Sequence, residues 1–329
     1  MTHYEPGLSD RFGRRFSYLR LSVTDVCNFR CHYCLPDGYQ KTDQPEPLTL
    51  AEIAPLLQTF AQLGTRKVRI TGGEPSVRKD LTEIIDLTAR TPGIEQVALT
   101  TNGYRLADQI DDWHRAGLQR LNLSIDSLDP EQFGAITGYH HLDRILAGLE
   151  RALTLGLDVK INAVLLRGFN TERLQQFLDW IKDTPVTLRF IELMETGNNP
   201  VFFAEHHVSG EAIRQQLQAS GWQAKTRAQH DGPALEFTHS AYRGKLGLIM
   251  PYSKDFCASC NRLRISSLGK LHLCLFGEQG YDVRPLLQPG IAPAQLVAEL
   301  EQLLGLKHET HYLQSGNTGA TRHFAMLGG

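Results

Sequence analysis

The sequence predicts an α/β fold: a partial, open barrel of six β/α units followed by a C-terminal α+β subdomain. Three observations carry this. Between Phe16 and about Phe190, short apolar β-like runs alternate with amphipathic helical stretches, the order of a parallel sheet with right-handed crossovers. Six units fall short of the eight of a closed barrel. Polar side chains recur on one face of otherwise apolar strands, which predicts a hydrophilic barrel interior; solvent-wetted edges are the alternative. After about residue 195 the pattern breaks into loops and short strands, so the chain divides into a core over 1–195 and a second unit over 196–329.

With 329 residues the chain can bury a large core. Hydrophobic residues make up 41% and charged ones 21%, so disorder is not the default. A net charge of -2 argues against a non-specific nucleic-acid or membrane-surface binder. The first residues carry Asp10, Arg11, Arg14 and Arg15 but no apolar leader, and no run approaches membrane-spanning length. The cytoplasm is therefore the expected compartment. Six cysteines fall in two groups of three, which reads as two metal sites rather than a disulfide scaffold.

The first strand, 17–24, runs into Cys27-Asn28-Phe29-Arg30-Cys31-His32-Tyr33-Cys34, three cysteines at C-x3-C-x2-C spacing. Three thiolates on one short loop can hold three irons of a cubane [4Fe–4S] cluster and leave the fourth iron open to a small molecule. A structural zinc knuckle or three buried thiols are the plainer alternatives. Thr49-x-x-Glu52 reads as a capping box opening a helix whose regular part begins only after Pro55. Strand 67–71 ends in Thr71-Gly72-Gly73-Glu74-Pro75, where the glycines let backbone approach a ligand and Glu74 supplies an acceptor.

By strand parity Arg69 and Thr71 share one face. Asn122 and Ser124 do so on strand 120–125, and Lys160 and Asn162 on strand 159–165. Strand 96–101 ends in small hydrogen-bonding residues, Thr100 among them. Strand 187–193 carries Arg189, an ion-pair partner or an anion ligand, and leads to Met194, a core filler or a contact for an adenine face. Helices between the strands are read from Leu142, Ile145, Leu146 and Leu149, and from Leu174, Phe177, Leu178 and Ile181. Ligands of such sheets gather at the carboxyl ends of the strands, where Cys27, Cys31 and Cys34 fall.

Beyond a loop at 195–200, a helix is expected near 211–219 and strands near 234–239 and 245–250. Cys257-x2-Cys260 and Cys274 form the second trio, again a three-thiolate cluster site with zinc as the alternative. Between them, Leu263 to Leu273 reads as a hairpin turning at Ser267-Leu268-Gly269. His272, near Cys274, is set aside as a zinc ligand on strand parity. Arg262 and Arg264 share a face beside two of these cysteines, forks suited to phosphate oxygens or charges guarding a sheet edge. His140-His141 and His206-His207 read as surface or capping residues. A helix over 293–304 opens at Pro293 and packs through Leu296, Leu300, Leu303 and Leu304. Gly328-Gly329 reads as a flexible pair able to thread a narrow site.

The segments FSYLRLSVTDVCNFRCHYCLPDGY, KVRITGGEPSVRKDL, LTTNGYRL, LNLSIDSLD, LRFIELMETG and PYSKDFCASCNRLRISSLGKLHLCLFG, with the terminal GG, resemble the GTP 3′,8-cyclase family of molybdenum cofactor biosynthesis. This family lies in the radical S-adenosylmethionine (SAM) superfamily, and the resemblance spans essentially the whole chain. It implies a partial (β/α)6 radical SAM barrel with a C-terminal α+β subdomain carrying a second cluster. Its cofactors would be two [4Fe–4S] clusters and SAM. Cys27, Cys31 and Cys34 would hold the SAM cluster, and Cys257, Cys260 and Cys274 the auxiliary one. Tyr33, Gly73, Ser124 and Met194 would line SAM, with Glu74 near its amino group and Asn162 nearby. Arg20, Lys67, Arg69, Thr100, Lys160, Arg189, Arg262, Leu263 and Arg264 would surround GTP.

Arg262, Arg264, Gly328 and Gly329 are the catalytic candidates the resemblance implies. The expected product is (8S)-3′,8-cyclo-7,8-dihydroguanosine 5′-triphosphate, formed by hydrogen removal from C3′ of the ribose and bonding of C3′ to C8 of guanine. A reducing electron donor, a homodimer and a functional link to cyclic pyranopterin monophosphate synthase are further implications. A peptide-modifying radical SAM enzyme with an auxiliary cluster is the alternative within the superfamily, and a two-cluster electron carrier the alternative outside it.

Overall fold

The computed structural model describes residues 7–41, 43–226 and 232–328. Six apolar runs form strands β1 (Tyr18–Ser22), β2 (Lys67–Thr71), β3 (Gln96–Thr101), β4 (Arg120–Ser124), β5 (Asp158–Leu165) and β6 (Thr187–Glu192). Neighbours pair in parallel, so these strands lie side by side in chain order. No tight turn can join parallel strands. Helices return the chain instead: α1 (Leu50–Gln62), α2 (Leu81–Arg90), α3 (Leu106–Arg115), the pair α4 (Pro130–Thr137) and α5 (Leu142–Thr154), and α6 (Leu174–Asp183).

One parity of each strand packs under these helices. Leu19, Leu21, Val68, Ile70, Leu121, Leu123 and Ile161 join Ile53, Phe60, Trp113 and Ile145 in one core, each large side chain contributing roughly 1.5–3 kcal/mol by burial. The other parity faces the concave side and carries the polar residues. In α1 the capping box forms: Thr49 Oγ1 accepts from the Glu52 N–H, and Glu52 Oε2 accepts from the Thr49 N–H at 2.9 Å. The helix begins at Leu50, not after Pro55 as expected. Pro55 removes only the bond to the Ala51 carbonyl, and Ala51 is exposed, so water can take its place.

The remaining elements are α7 (Pro200–His206), α8 (Gly210–Ala219), β7 (Gln223–Ala224), β8 (Leu235–Thr238), β9 (Lys245–Ile249), β10 (Arg262–Ile265), β11 (Lys270–His272), β12 (Tyr281–Asp282) and α9 (Pro293–Leu304). Their strands extend both edges of the barrel sheet. β10 pairs in parallel with β1, and β9 in parallel with β6. Among the described residues the twelve strands form one open sheet in the order β12-β11-β10-β1-β2-β3-β4-β5-β6-β9-β8-β7. Gly269, at φ 78°, makes the β10–β11 turn. Arg284 Nε donates to Glu52 Oε1 at 2.7 Å, tying the segment before α9 to α1. His141 and His207 sit at helix caps. No helix among the described residues is long and apolar enough to cross a membrane.

Candidate active site

The loop after β1 is held by the turn after β2. Gly73 N–H donates to the Thr24 carbonyl at 2.8 Å, and Glu74 N–H to that of Val26 at 2.8 Å. A Cβ at Gly72 would lie 2.3 Å from the Thr24 carbonyl oxygen, and one at Gly73 2.3 Å from that of Val26. Only glycine permits this approach. From the other side, Arg30 and His32 N–H groups donate to carbonyls at the end of α4. Cys27, Cys31 and Cys34 thereby line one cavity with Tyr33, Gly73, Thr100, Ser124, Asn162, Met194 and Gly328.

Glu74 has structural partners. Its carboxylate is fully buried, accepts from Ser76 N–H (2.9 Å), Thr101 Oγ1 (2.7 Å) and Asn102 N–H (2.6 Å), and does not line the cavity. It ties the ends of β2 and β3 together instead. Asp126, unremarked in the sequence, does line the cavity: Tyr33 Oη donates to its Oδ2 at 2.8 Å and the Val164 N–H to its Oδ1 at 2.8 Å. Burial pushes Asp126 up to about 6. Burial, with Glu74 nearby, pushes the Cys27 thiol up to about 11; burial and Cys27 push Cys34 up to about 12.

A second cavity is basic. Strand register aligns Arg262, Tyr18 and Lys67 in one row across β10, β1 and β2, and Arg264, Arg20 and Arg69 in the next. All six line this cavity, with Lys160 and Arg189 from β5 and β6. Thr100 lies in the first cavity, and Leu263, of opposite parity to its neighbours, points into the helix-covered core. Its side chain therefore contributes to the fold and not to the cavity wall. Lys160 and Arg189 reach Glu236 Oε1 at 3.6 and 3.5 Å. The Nε atoms of Arg20, Arg69, Arg189, Arg262 and Arg264 are buried with no hydrogen-bond partner. Among the described residues these donors have no acceptor, so they are open to one from a ligand. Burial and repulsion from neighbouring guanidinium groups bring Arg264 down to about 9 and Lys160 to about 8. At an effective dielectric of 20, two like charges ~4 Å apart repel by roughly 4 kcal/mol, so the chamber favours an anion of several charges.

Cys257, Cys260 and Cys274 line this basic cavity. Burial raises the Cys260 thiol, but Arg262, Lys307 and Arg264 together bring it down to about 6. The parity argument against His272 fails, because 272 and 274 are two apart and His272 stands opposite Arg264. What keeps the ring out of the cavity lining is its packing against Gly280. Burial, Arg264 and Lys270 bring His272 down to about 4, leaving it neutral.

The two cavities adjoin. Asn162, Ile191 and Met194 line both. One apolar cluster, built on Leu275, Phe276, Phe324 and Leu327, packs against Cys34 of one trio and Cys274 of the other. The C-terminal tail completes the wall: Arg20 Nη1 donates to the Gly328 carbonyl at 2.9 Å, and Phe324 and Ala325 N–H groups reach the Cys34 thiol. Gly329 lies outside the described residues.

Comparison with known proteins gives this arrangement its relatives. The chain is 55% identical over 323 residues to the GTP 3′,8-cyclase of Vibrio parahaemolyticus, covering 97% of each chain. It is 56% identical to that of Shewanella denitrificans, covering 98% of this chain and 96% of the relative. It belongs to the GTP 3′,8-cyclase family. The radical SAM superfamily model matches residues 21–181, and the Molybdenum Cofactor Synthesis C model residues 186–313. Streptococcus suis SuiB bound to S-adenosylmethionine superposes with a TM-score of 0.62 at 13% identity, covering 87% of this chain and 68% of SuiB, which shows the fold alone.

The cofactors of this family are SAM and [4Fe–4S] clusters, and the donor sets suit them. All six cysteines are free thiols, three to each cavity. Among the described residues no three such side chains converge on the position of a single ion, and a cube, which takes each thiolate on a separate iron, does not require it. Tyr18, Arg120, Asp126 and Glu236 were missed in the sequence. Parity with Arg20 would have found Tyr18, and parity with Ser124 would have found Asp126. No local signal marks Glu236.

Proposed function

We propose that this chain converts GTP to (8S)-3′,8-cyclo-7,8-dihydroguanosine 5′-triphosphate, the first step of molybdenum cofactor biosynthesis. The observation that carries the reading is the pair of cysteine trios on adjoining cavities, one of them walled by two in-register rows of cations. In this reading residues 1–195 are the radical SAM core and 196–329 the unit with the auxiliary cluster. Held by Cys27, Cys31 and Cys34, a cluster with SAM supplies a carbon radical able to take hydrogen from an unactivated C–H bond.

The protein's own groups do the rest. Arg20, Lys67, Arg69, Lys160, Arg189, Arg262 and Arg264 hold the triphosphate by charge-assisted hydrogen bonds and fix where the ribose sits. Tyr33, Gly73, Ser124, Asn162 and Met194 line the SAM side, and Cys257, Cys260 and Cys274 hold the cluster on the guanine side. The tail through Gly328 closes the wall between the cavities and excludes water. In GTP the hydrogen at C3′ leaves as an atom, C3′ bonds to C8, and one electron with one proton completes the product. An external reductant supplies the electron. A homodimer in the cytoplasm handing its product to cyclic pyranopterin monophosphate synthase fits this reading, as does a chain with no nucleic-acid or membrane partner.

The test is anaerobic reconstitution with dithionite, SAM and GTP deuterated at C3′. Deuterium in 5′-deoxyadenosine supports substrate and first step together. Deuterium retained in unreacted GTP while SAM is consumed overturns the assignment.

A further inference from the structure

The basic cavity holds a hydroxyl with no hydrogen-bond partner among the described residues, that of Tyr18. Tyr18 stands on β1 between Arg262 of β10 and Lys67 of β2, in the row next to Arg20. Lys67 Nζ lies 4.8 Å and Arg69 Cζ 5.4 Å from the ring centroid, cation–π contacts that hold the ring. The residue is 5% exposed, lines the cavity, and its hydroxyl has no hydrogen bond of good geometry. A buried phenol ordinarily finds a partner. Here the near neighbours are Lys and Arg, which donate and cannot accept. Glu236, the carboxylate on the cavity wall, is engaged by Lys160, Arg189 and Lys225. Among the described residues no free acceptor faces the Tyr18 proton, which leaves that proton for a ligand.

We propose that the Tyr18 hydroxyl is a further substrate-binding group, donating to a phosphate oxygen of the nucleoside triphosphate, and that anion binding here takes up a proton on Tyr18. This rests on the reading of the chamber as the GTP site. The proton follows from charge balance. Burial raises the phenol, but Arg69 and Lys67 on β2, Arg20 on β1 and Arg262 on β10 overcome it and bring the hydroxyl down to about 7. Arg189 on β6 feels the same group. Above that pH the empty chamber favours a phenolate among its cations. A polyphosphate supplies the negative charge instead, so the phenol is protonated when it binds, and affinity falls as pH rises through that value. Lys67 and Lys160, each brought down to about 8, gain protons in the same event. A variant lacking only the hydroxyl separates the contributions.

Tyr18→Phe keeps the ring and its cation contacts. Calorimetric titration of the reconstituted holoenzyme with GTP at about pH 8, in two buffers of different ionisation enthalpy, counts the protons taken up. At that pH the variant is expected to take up fewer protons, by as much as about one, and to lose little affinity because it is also spared the cost of protonating the phenol, with SAM affinity and iron content unchanged. At about pH 6, where the phenol is already protonated, the proton counts should agree and the variant should bind GTP about tenfold more weakly. Unchanged affinity at about pH 6 and an unchanged proton count at about pH 8 in Tyr18→Phe overturn the proposal while the GTP site stands. Weaker binding at about pH 6 with an unchanged count at about pH 8 overturns the proton coupling. Failure of the wild-type protein to bind GTP overturns the site and the proposal together.

Discussion

The two cysteine trios have the same number of thiols and opposite electrostatics. Around Cys27, Cys31 and Cys34 the charged neighbours are Glu74 and Asp126, and the thiols are pushed up, Cys34 to about 12. Around Cys260 the neighbours are Arg262, Lys307 and Arg264, and the thiol is drawn down to about 6. Cys27, Cys31 and Cys34 must lose their protons to an incoming metal; Cys260 already favours thiolate. Ligand preference divides the same way. The Asp126 carboxylate in the first cavity suits the cationic sulfonium of SAM, and rows of guanidinium suit a polyphosphate. Ligand count alone describes neither site; the neighbouring charges make them different.

The largest expected effect breaks one trio at a time. Cys34→Ala should abolish 5′-deoxyadenosine formation, whereas Cys274→Ala should keep it and lose the GTP-derived product. Each should lower iron from about eight to about four per chain. Equal loss of 5′-deoxyadenosine in both would mean the sites are not divided as described. Next, Arg264→Ala removes one charged fork from the basic row. Equilibrium binding should show GTP weakened about 10- to 100-fold, with SAM affinity unchanged; a parallel loss of SAM binding would count against separate cavities.

Gly328→Ala probes the wall between the cavities. At φ 62° its Cβ would fall 2.1 Å from Thr71 Oγ1, so the tail must shift away from Arg20. Turnover should fall by roughly tenfold while the melting temperature holds, because a displaced terminus leaves the core packed. Wild-type turnover would show that the tail is dispensable. The smallest effect lies outside both cavities. Glu52, held down to about 2 chiefly by Arg284, adds stability that is complete above its ordinary 4.5 and lost as pH falls through about 2. Glu52→Gln should lower the melting temperature at neutral pH by roughly 2–4 °C and flatten its acid dependence; an unchanged acid slope would show that the pair adds nothing.

The six barrel strands, the capping box at Thr49, the β10–β11 hairpin and helix α9 were legible because each is a short-range pattern: a period of two or of 3.6, a cap, a glycine turn. The hydrogen bonding of Glu74 was not legible, for the converse reason. A glutamate after two glycines looks available, and nothing local announces that Ser76, Thr101 and Asn102 take both of its oxygens. Leu263 was grouped with Arg262 and Arg264 although its own parity turns it inward. Tyr18 was passed over because a tyrosine in an apolar run reads as core.

By itself the sequence determined the alternating βα order, the face on which Arg20, Arg69, Lys160 and Arg262 lie, and the thiolate chemistry of both trios, since side-chain alternation and ligand spacing are properties of consecutive residues. Only the tertiary structure decided that β10 docks in parallel on β1, aligning Arg264 with Arg20 and Arg69, and that Cys34 and Cys274 share one apolar cluster. Those outcomes depend on which strand edges meet and at what register. That choice is made by packing between distant segments, and no local period encodes it.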